Sequence, residues 1–213
     1  MPAVEEVAWS AVVQRTIDIV VASVLLVALL PVFAIIALAI GLDTRGPVLF
    51  RQSRCGRGRR EFTINKFRTM RCDAVVEPHR DYVLGLIRGT EDMQGSLYKL
   101  ASDDRVTRVG RVLRRFSLDE LPQLWNVLRG EMTLVGPRPP IPYEVDNYPP
   151  EWLRRLAVKP GLTGLWQVSG RAELNYNEMV QLDLEYVQRR SLFLNARILV
   201  KTVWVVLGGR GAV

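Results

Sequence analysis

The chain contains little of the chemistry that builds metal or disulfide sites. Its 213 residues include two cysteines, Cys55 and Cys72, and a single histidine, His79. These three residues do not form a zinc site at any recognised spacing, and two cysteines do not indicate a disulfide framework. A reducing compartment is therefore the expected environment. Internal repeats and low-complexity tracts are also absent from the sequence.

Lysine is scarce as well, whereas arginine is abundant. Of the 29 basic residues only four are lysines, which leaves 25 arginines, and the formal net charge is +7. Such a surface favours anions, which can be nucleic acid, anionic lipid headgroups or a phosphorylated substrate. The sequence lacks interleaved aromatic residues for base stacking and any recognised nucleic-acid motif, so we expect no nucleic-acid partner.

Charge is missing altogether from Ile19 to Leu42. As a helix, this stretch would extend about 36 Å, enough to cross a hydrocarbon core of about 30 Å. Pro31 divides it, and a kink or break is expected there. One topology is a kinked span with the arginine-rich flank in the cytoplasm, which the positive-inside rule favours. The other is a re-entrant hairpin that returns both ends to the same face.

The rest of the chain is mainly helical in pattern. An exception is the alternation at residues 48–50 and 62–64 around Gly56-Arg57-Gly58, which predicts a β-hairpin. Residues 72–101 read as a loop with short helices, and residues 175–190 as a helix. Residues 192–207 are apolar but carry Arg197 and Lys201 on one face, so they predict an interfacial amphipathic helix or, equally, a core helix.

Two adjacent carboxylates, Asp119 and Glu120, follow a pair of arginines where apolar residues take up helical spacing. Ser117 and Glu120 fit a capping box at a helix start, although Pro122 would suit the first helical position better. Either start places both acids near the positive end of a helix dipole, which favours their ionised form. They are then capping residues, or a nucleophile and a metal ligand.

Taken in order, six pieces of the chain resemble the monotopic phosphoglycosyl transferases, the bacterial polyprenyl-phosphate sugar-1-phosphate transferases. One is the Pro31-interrupted apolar segment. The others are 46–52 (GPVLFRQ), 66–70 (KFRTM), 119–124 (DELPQL), 136–139 (GPRP) and 159–164 (KPGLTG). Residues 166–171 (WQVSGR) are most similar to enzymes that initiate exopolysaccharide or O-antigen synthesis. The resemblance implies a minimal catalytic unit, without the extra membrane helices of many relatives.

The resemblance implies a reaction in which a sugar-1-phosphate passes from a UDP-sugar to undecaprenyl phosphate, with release of UMP. Asp119 would form a phosphosugar-aspartyl intermediate, and Glu120 would bind Mg²⁺ or handle a proton. Asp119 and Glu120 are thus the expected catalytic pair and the expected Mg²⁺ ligands. The donor sugar is expected to be a hexose such as glucose or galactose.

The same resemblance assigns phosphate-binding positions. Arg114 and Arg138 match family positions near the phosphates, and Lys66 and Arg68 match a pattern assigned to the same site. Prolines on both sides of Arg138 also present it from a stiff loop, although a rigid turn with a solvated arginine fits that pattern equally. Asp183 matches an acidic family motif whose role is either in the site or structural.

The expected fold is mainly α with a small β-hairpin (α+β), in a monotopic membrane protein. Its parts would be a surface helix and a Pro31-broken re-entrant helix (1–45), a cytoplasmic catalytic domain (46–190) and an interfacial amphipathic helix (191–213). The resemblance favours re-entry over a span, although many members have Ser before this proline and this chain has Leu30. The expected location is the bacterial inner membrane, with the site facing the cytoplasm. The expected partners are inner-membrane lipids and a second copy of the chain in a homodimer.

Two other functions compete with this one. A membrane-attached nucleotide-sugar hydrolase would use the same Asp119 chemistry with water as the acceptor, and it would ignore added polyprenyl phosphate. A non-enzymatic module that binds anionic lipid or nucleic acid would rest on the net charge of +7 and the basic hairpin tip. That module would leave the Asp119-Glu120 pair unexplained.

Overall fold

The computed structural model describes residues 4–72, 77–88 and 105–208. Over these residues the chain is mainly helical with a small antiparallel hairpin, as the sequence predicts. Its elements in order are α1 (Val4–Ala28), α2 (Leu30–Asp43), β1 (Leu49–Cys55), β2 (Glu61–Phe67), α3 (Glu77–Arg88), α4 (Arg108–Arg115), α5 (Leu124–Arg129), β3 (Thr133–Val135), α6 (Pro142–Val145), β4 (Gly161–Thr163), α7 (Tyr176–Arg189) and α8 (Leu192–Gly208). Short 3₁₀ helices join them at Arg57–Arg59, Leu118–Gln123, Pro150–Ala157, Trp166–Val168 and Arg171–Glu173.

The apolar N-terminal segment breaks beside Pro31, as predicted. Helix α1 ends at Ala28 and α2 begins at Leu30, with Pro31 in its first turn, where a missing N–H costs least. Within α1, residues Ala11–Ala28 are long and apolar enough to cross a membrane, with a mean hydropathy of 1.9. Helix α2 is apolar but shorter. These features are compatible with membrane association.

The predicted β-hairpin is present. Strands β1 and β2 pair antiparallel from Leu49 opposite Phe67 to Cys55 opposite Glu61. Gly58 takes a left-handed backbone in the turn (φ 65°), a conformation that glycine adopts without strain. The sequence does not predict the parallel pair of β3 and β4, since strands of three residues are too short to show alternation.

One buried cluster joins elements from both ends of the chain. Ala22 of α1 lies with Leu124 and Val127 of α5, Tyr186 of α7 and Ile198 of α8. A second cluster joins α2 to the hairpin and α4, and its buried members are Ile36, Ile40, Phe67 and Leu113. A third, under α3 and α7, is built from Val83, Trp152, Met179, Val180 and their neighbours. The apolar helices α1 and α2 therefore pack directly on the rest of the chain, which forms the body of the protein and holds the site.

Other helices follow the sequence in part. Helix α7 fits the predicted 175–190, and a capping box between Asn175 and Glu178 begins it. The interval 72–101 contains α3, a single helix of twelve residues, while 73–76 and 89–104 lie outside the described residues. Helix α8 matches the predicted 192–207; it buries Ile198 in the core and exposes Phe193 and Trp204 by 80% and 73%. One face of α8 is thus a core face, and its exposed side is largely apolar but also carries Arg197 and Lys201.

Candidate active site

The two adjacent carboxylates lie in a 3₁₀ helix, where the sequence predicted the start of an α-helix, either after Ser117 or at Pro122. Leu118–Gln123 form this helix, and α5 follows directly at Leu124. Ser117 has a left-handed backbone (φ 52°) and its side chain makes no capping hydrogen bond, so the predicted capping box is wrong. Pro122 inside the 3₁₀ helix has no N–H to donate, which disfavours a regular α-helical turn here.

Glu120 instead reaches across to the hairpin. Nζ of Lys66 donates to Oε1 of Glu120 at 2.5 Å, and both side chains are partly buried. Lys66 lies two residues after Ile64 on β2, so the two side chains share one face of the strand. This face of the hairpin and the 3₁₀ helix form the walls of a single site.

Asp119 is half-buried beside this pair. Its withdrawal from solvent raises its pKa to about 6; the positive charges of Lys66 and Arg114 act in the opposite direction, and Glu120 adds to the increase. Burial therefore outweighs the helix-terminus effect from which the sequence predicted an easily ionised acid. A carboxylate with this pKa is ionised at neutral pH but poorly solvated, which suits a nucleophile.

A pocket collects several of the predicted residues. Lys66, Glu120 and Arg138 line it together, although they are up to 72 positions apart in the chain. The remaining lining comes from both hairpin strands, the 3₁₀ helix of the carboxylates, the Arg138 loop, strand β4 and the 3₁₀ helix after it: Arg54, Ile64, Gln123, Pro139, Gly161, Leu162 and Gln167. Among these lining residues Arg54, Lys66 and Arg138 are cationic and Glu120 is anionic, so the pocket has an excess of positive charge. This charge favours an anionic ligand.

Arg138 projects from a loop that is held on two sides. The N–H of Gly161 donates to the carbonyl of Pro137 at 2.8 Å, and Nη1 of Arg54 donates to the carbonyl of Pro139 at 2.9 Å. Loss of solvation and the neighbouring Arg54 lower the pKa of Arg138 to about 10. The guanidinium is still charged at neutral pH, and it is fixed next to a second cation. The stiff loop that the prolines predicted is present.

Arg114 and Arg68 lie at different positions relative to the carboxylates. Nε of Arg114 donates to Oγ1 of Thr69 at 3.0 Å, and its charge lowers the pKa of Asp119, so it stands beside the carboxylates. Arg68 is buried, and it donates to the carbonyls of Thr44 and Arg45 at 2.8 and 2.7 Å. The structure thus groups Arg114 with the carboxylates and uses Arg68 to hold the chain after α2.

Asp183 lies in the core behind the site. It is fully buried, and its Oδ2 accepts from Nη2 and Nε of Arg155 at 2.6 and 3.1 Å. Burial raises the pKa of Asp183 to about 6 against the effect of Arg155 and of a backbone hydrogen bond from Arg138. Arg155 also donates to the hydroxyl of Tyr148 at 2.9 Å. Asp183 therefore supports the Arg138 loop from below and does not line the pocket.

Sequence reasoning missed several polar residues around the site. Arg54, Gln123 and Gln167 line the pocket. Arg171 donates to Oγ of Ser117 at 3.3 Å, immediately before the carboxylates. Gln123, Gln167 and Arg171 lie inside the motifs that carry the family resemblance, and that position is the signal that could have identified them. Arg54 lies outside these motifs.

The donor set is compatible with Mg²⁺. Among the described residues there is no group of three or more His, Cys, Asp or Glu side chains that could hold a metal ion. Mg²⁺ needs less than this, because it typically binds one or two carboxylates together with substrate phosphates and waters. Asp119 and Glu120 supply such a pair. Burial is the main cause of the raised pKa of Asp119, and a bound cation would relieve the repulsion by Glu120 that adds to it.

An acidic pair among cations, on a body that carries apolar helices, is compatible with a membrane-associated protein that binds an anionic ligand. The profile of the bacterial sugar transferase family matches residues 9–209. The exopolysaccharide production protein ExoY of Rhizobium meliloti is 40% identical over 201 residues, which are 93% of this chain and 87% of that protein. The chain therefore belongs to the bacterial sugar transferase family, as its motifs imply.

Other relatives are named for their reactions. The UDP-glucose:undecaprenyl-phosphate glucose-1-phosphate transferase of Caulobacter vibrioides is 42% identical over 89% of this chain and 68% of its own length. The UDP-galactose-lipid carrier transferase of Erwinia amylovora is 42% identical over 93% of this chain. The chain spans only 41% of the Erwinia protein and 36% of the galactosyl transferase CpsE of Streptococcus agalactiae.

Proposed function

We propose that this protein transfers a sugar-1-phosphate from a UDP-sugar to undecaprenyl phosphate and releases UMP. The observation that carries the proposal is the meeting of Asp119 and Glu120 with Lys66, Arg114 and Arg138 at one site. The family match and the names of the relatives support the substrate classes. Glucose and galactose, which occur in those names, are the donor sugars we propose to test first.

The chemistry follows from the carboxylate. A carboxylate oxygen of Asp119 attacks the phosphorus attached to the sugar, and the bond from this phosphorus to the bridging oxygen breaks. UMP leaves with that oxygen, and a phosphosugar-aspartyl intermediate remains. A phosphate oxygen of undecaprenyl phosphate then attacks the same phosphorus and returns Asp119 to its ionised form. One difficult displacement thus becomes two easier ones.

The cations offset the charge of the reacting phosphates. Arg138 is held in a stiff loop and can donate two parallel hydrogen bonds to a phosphate, and Arg54 adds a second fixed guanidinium. Lys66 offers a compact charge on the same face of the hairpin as Arg54. Mg²⁺ bound by Asp119 and Glu120 would neutralise diphosphate charge and orient the leaving group. We propose these roles on the strength of the pocket and its charge balance.

We also propose a re-entrant topology, with the site on the cytoplasmic face of the inner membrane. Contacts at both ends of the apolar segment support it. Arg15 donates to the carbonyls of Val127 and Leu128 on the body, and the N–H of Val109 donates to Oδ2 of Asp43 on the same body. A straight span would place these two ends on opposite sides of the bilayer, where one body cannot hold both.

The test is UMP release by the full chain in nanodiscs with Mg²⁺, across a panel of UDP-sugars, with and without undecaprenyl phosphate. We expect release above a single turnover only with the lipid, and for one sugar in preference to its epimers. Equal multiple-turnover release without lipid would favour the hydrolase. A lack of release with every sugar in the panel would contradict the proposed function.

A further inference from the structure

Helix α1 carries a group of polar residues immediately before its charge-free part. Gln14, Arg15 and Asp18 all contact the body that holds the site, although Asp18 immediately precedes the charge-free stretch. Each of these side chains is costly near a hydrocarbon layer unless it is paired. Their partners therefore indicate what the helix is attached to.

Arg15 binds the C-terminal end of α5. Its Nη1 and Nη2 donate to the carbonyls of Val127 and Leu128, each at 2.6 Å. These are carbonyls in the last turn of the helix, where the dipole is negative, and the carbonyl of Val127 also accepts from the capping N–H of Gly130 at 3.0 Å. Gly130 follows with a left-handed backbone, and a β-carbon there would lie 3.3 Å from Nη2 of Arg15. The helix end is thus shaped to receive the guanidinium.

Asp18 binds the start of β3. Its Oδ1 accepts from the N–H of Leu134 at 3.0 Å, and its Oδ2 accepts from Oγ1 of Thr133 at 2.8 Å. Nε2 of Gln14 donates to the same Thr133 hydroxyl at 2.9 Å. Asp18 is 5% exposed, so the carboxylate depends on these donors for its solvation. Two separate elements of the body are therefore fixed to one face of α1.

Helix α5 connects this attachment to the carboxylates. The 3₁₀ helix with Asp119 and Glu120 runs into α5 without a loop. Asn126 of α5 also bonds to the hairpin strand that carries Lys66: its Nδ2 donates to the carbonyl of Thr63 at 2.7 Å. One short helix therefore links the membrane helix, the strand with Lys66 and the acidic pair.

We propose that Arg15 and Asp18 are positioning residues that set the distance of the acidic pair from the membrane, and so control use of the membrane-embedded acceptor. This inference rests on the proposed function. The UDP-sugar arrives from water and reaches the site whatever its height above the bilayer. The acceptor phosphate is confined to headgroup depth, so its attack requires Asp119 at a matching height. A misplacement of about 1 Å can cost about a hundredfold in rate.

The experiment separates the two half-reactions in the full chain held in nanodiscs. Single-turnover UMP release without acceptor measures the first step, and transfer from the preformed intermediate measures the second. We expect Arg15→Gln and Asp18→Asn to keep the first rate within about threefold. Transfer to undecaprenyl phosphate in the bilayer should fall at least tenfold, whereas a short, water-soluble prenyl phosphate should be used as by the parent protein.

Three further variants make the result decisive. Arg15→Lys keeps the charge but loses one of two carbonyl bonds, so it should give an intermediate defect. Thr133→Val removes the bridging hydroxyl without a change in charge, and it replaces either charge variant that fails to fold. Arg197→Gln, an exposed arginine of α8, is the matched control and should resemble the parent.

The readout distinguishes positioning from general damage. Equal losses with the embedded and the soluble acceptor would overturn the inference, as would normal transfer to both acceptors. A parent protein that releases no UMP with any donor would contradict the proposed function itself, and this result is seen before any variant is made.

Discussion

Asp119 and Asp183 are two carboxyl groups whose pKa values burial raises alike, but whose surroundings differ. Burial raises the pKa of each to about 6. Asp183 is fully enclosed, and its Oδ2 receives two hydrogen bonds from one guanidinium. Asp119 remains half-exposed beside a pocket whose cations belong to several different elements.

The comparison shows that a raised pKa does not by itself identify a catalytic acid. The positive partner of Asp183 is committed to it, so the pair is closed and structural. The site of Asp119 contains more cations than carboxylates, because Arg54, Lys66, Arg114 and Arg138 accompany Asp119 and Glu120, and Asp119 is partly accessible to solvent. Solvent access and the excess of cations, and not the size of the pKa shift, distinguish the proposed nucleophile Asp119 from the structural Asp183.

The largest effect is expected from Asp119→Asn. The amide keeps the shape of the side chain but is a poor nucleophile, so turnover should fall at least about a thousandfold. The free energy of unfolding should not fall, because the change removes a poorly solvated charge. UMP release with thermal unfolding in detergent measures both. A variant that keeps more than about a tenth of the activity would contradict the covalent route.

Asp183→Asn should have the opposite effect, with lower stability and retained activity. It leaves the Arg155 guanidinium buried without its counter-charge, so the free energy of unfolding should fall by about 3 kcal/mol. Activity for each folded molecule should change little. The matched control is Asp146→Asn, in an exposed pair with Arg59, where the loss should be below about 1 kcal/mol. Similar losses of stability at both positions would mean that the buried Asp183–Arg155 pair contributes no more to stability than the exposed Asp146–Arg59 pair.

The sequence predicted the elements that depend on local pattern. The hairpin, the break beside Pro31 and helices α7 and α8 all follow from periodicity or from proline. It did not predict the 3₁₀ helix at Ser117, because capping preferences act locally, whereas Glu120 is recruited by Lys66, which is 54 positions away in the chain. The pair of β3 and β4 depends in the same way on contacts between distant segments.

The sequence predicted which residues form the site better than it predicted how these residues are arranged. Motif resemblance named Lys66, Glu120 and Arg138, which share a pocket. It did not separate them from Arg68 or Asp183, because a motif records which residues occur and not where their side chains point. Arg54 shows the reverse case, as its burial and its place in the pocket follow only from the fold.

The two arginines that the motifs treat alike offer a third test. Arg138→Lys removes bidentate donation to a phosphate, so kcat/KM for the UDP-sugar should fall about ten- to a hundredfold with stability retained. Arg68→Lys weakens the hold on the Thr44 and Arg45 carbonyls, so it should lower the thermal stability and leave kcat/KM for each folded molecule within about threefold. Identical kinetic defects would place Arg68 in the phosphate site after all.

The smallest effect is a shift in pH dependence. In the proposed reaction, ionised Asp119 is the nucleophile. Because burial raises the pKa of Asp119 to about 6, kcat/KM should have its full value above this pH and should fall about tenfold per pH unit below it. The charge of Lys66 lowers this pKa, and Lys66→Gln should therefore move the acidic limb of the profile to higher pH. Lys201→Gln, at an exposed lysine of α8, is the control and should leave the limb in place. A Lys66→Gln profile that keeps its limb and loses only amplitude would mean that Lys66 acts on the substrate alone, and the link between the hairpin and the reactivity of Asp119 would be lost.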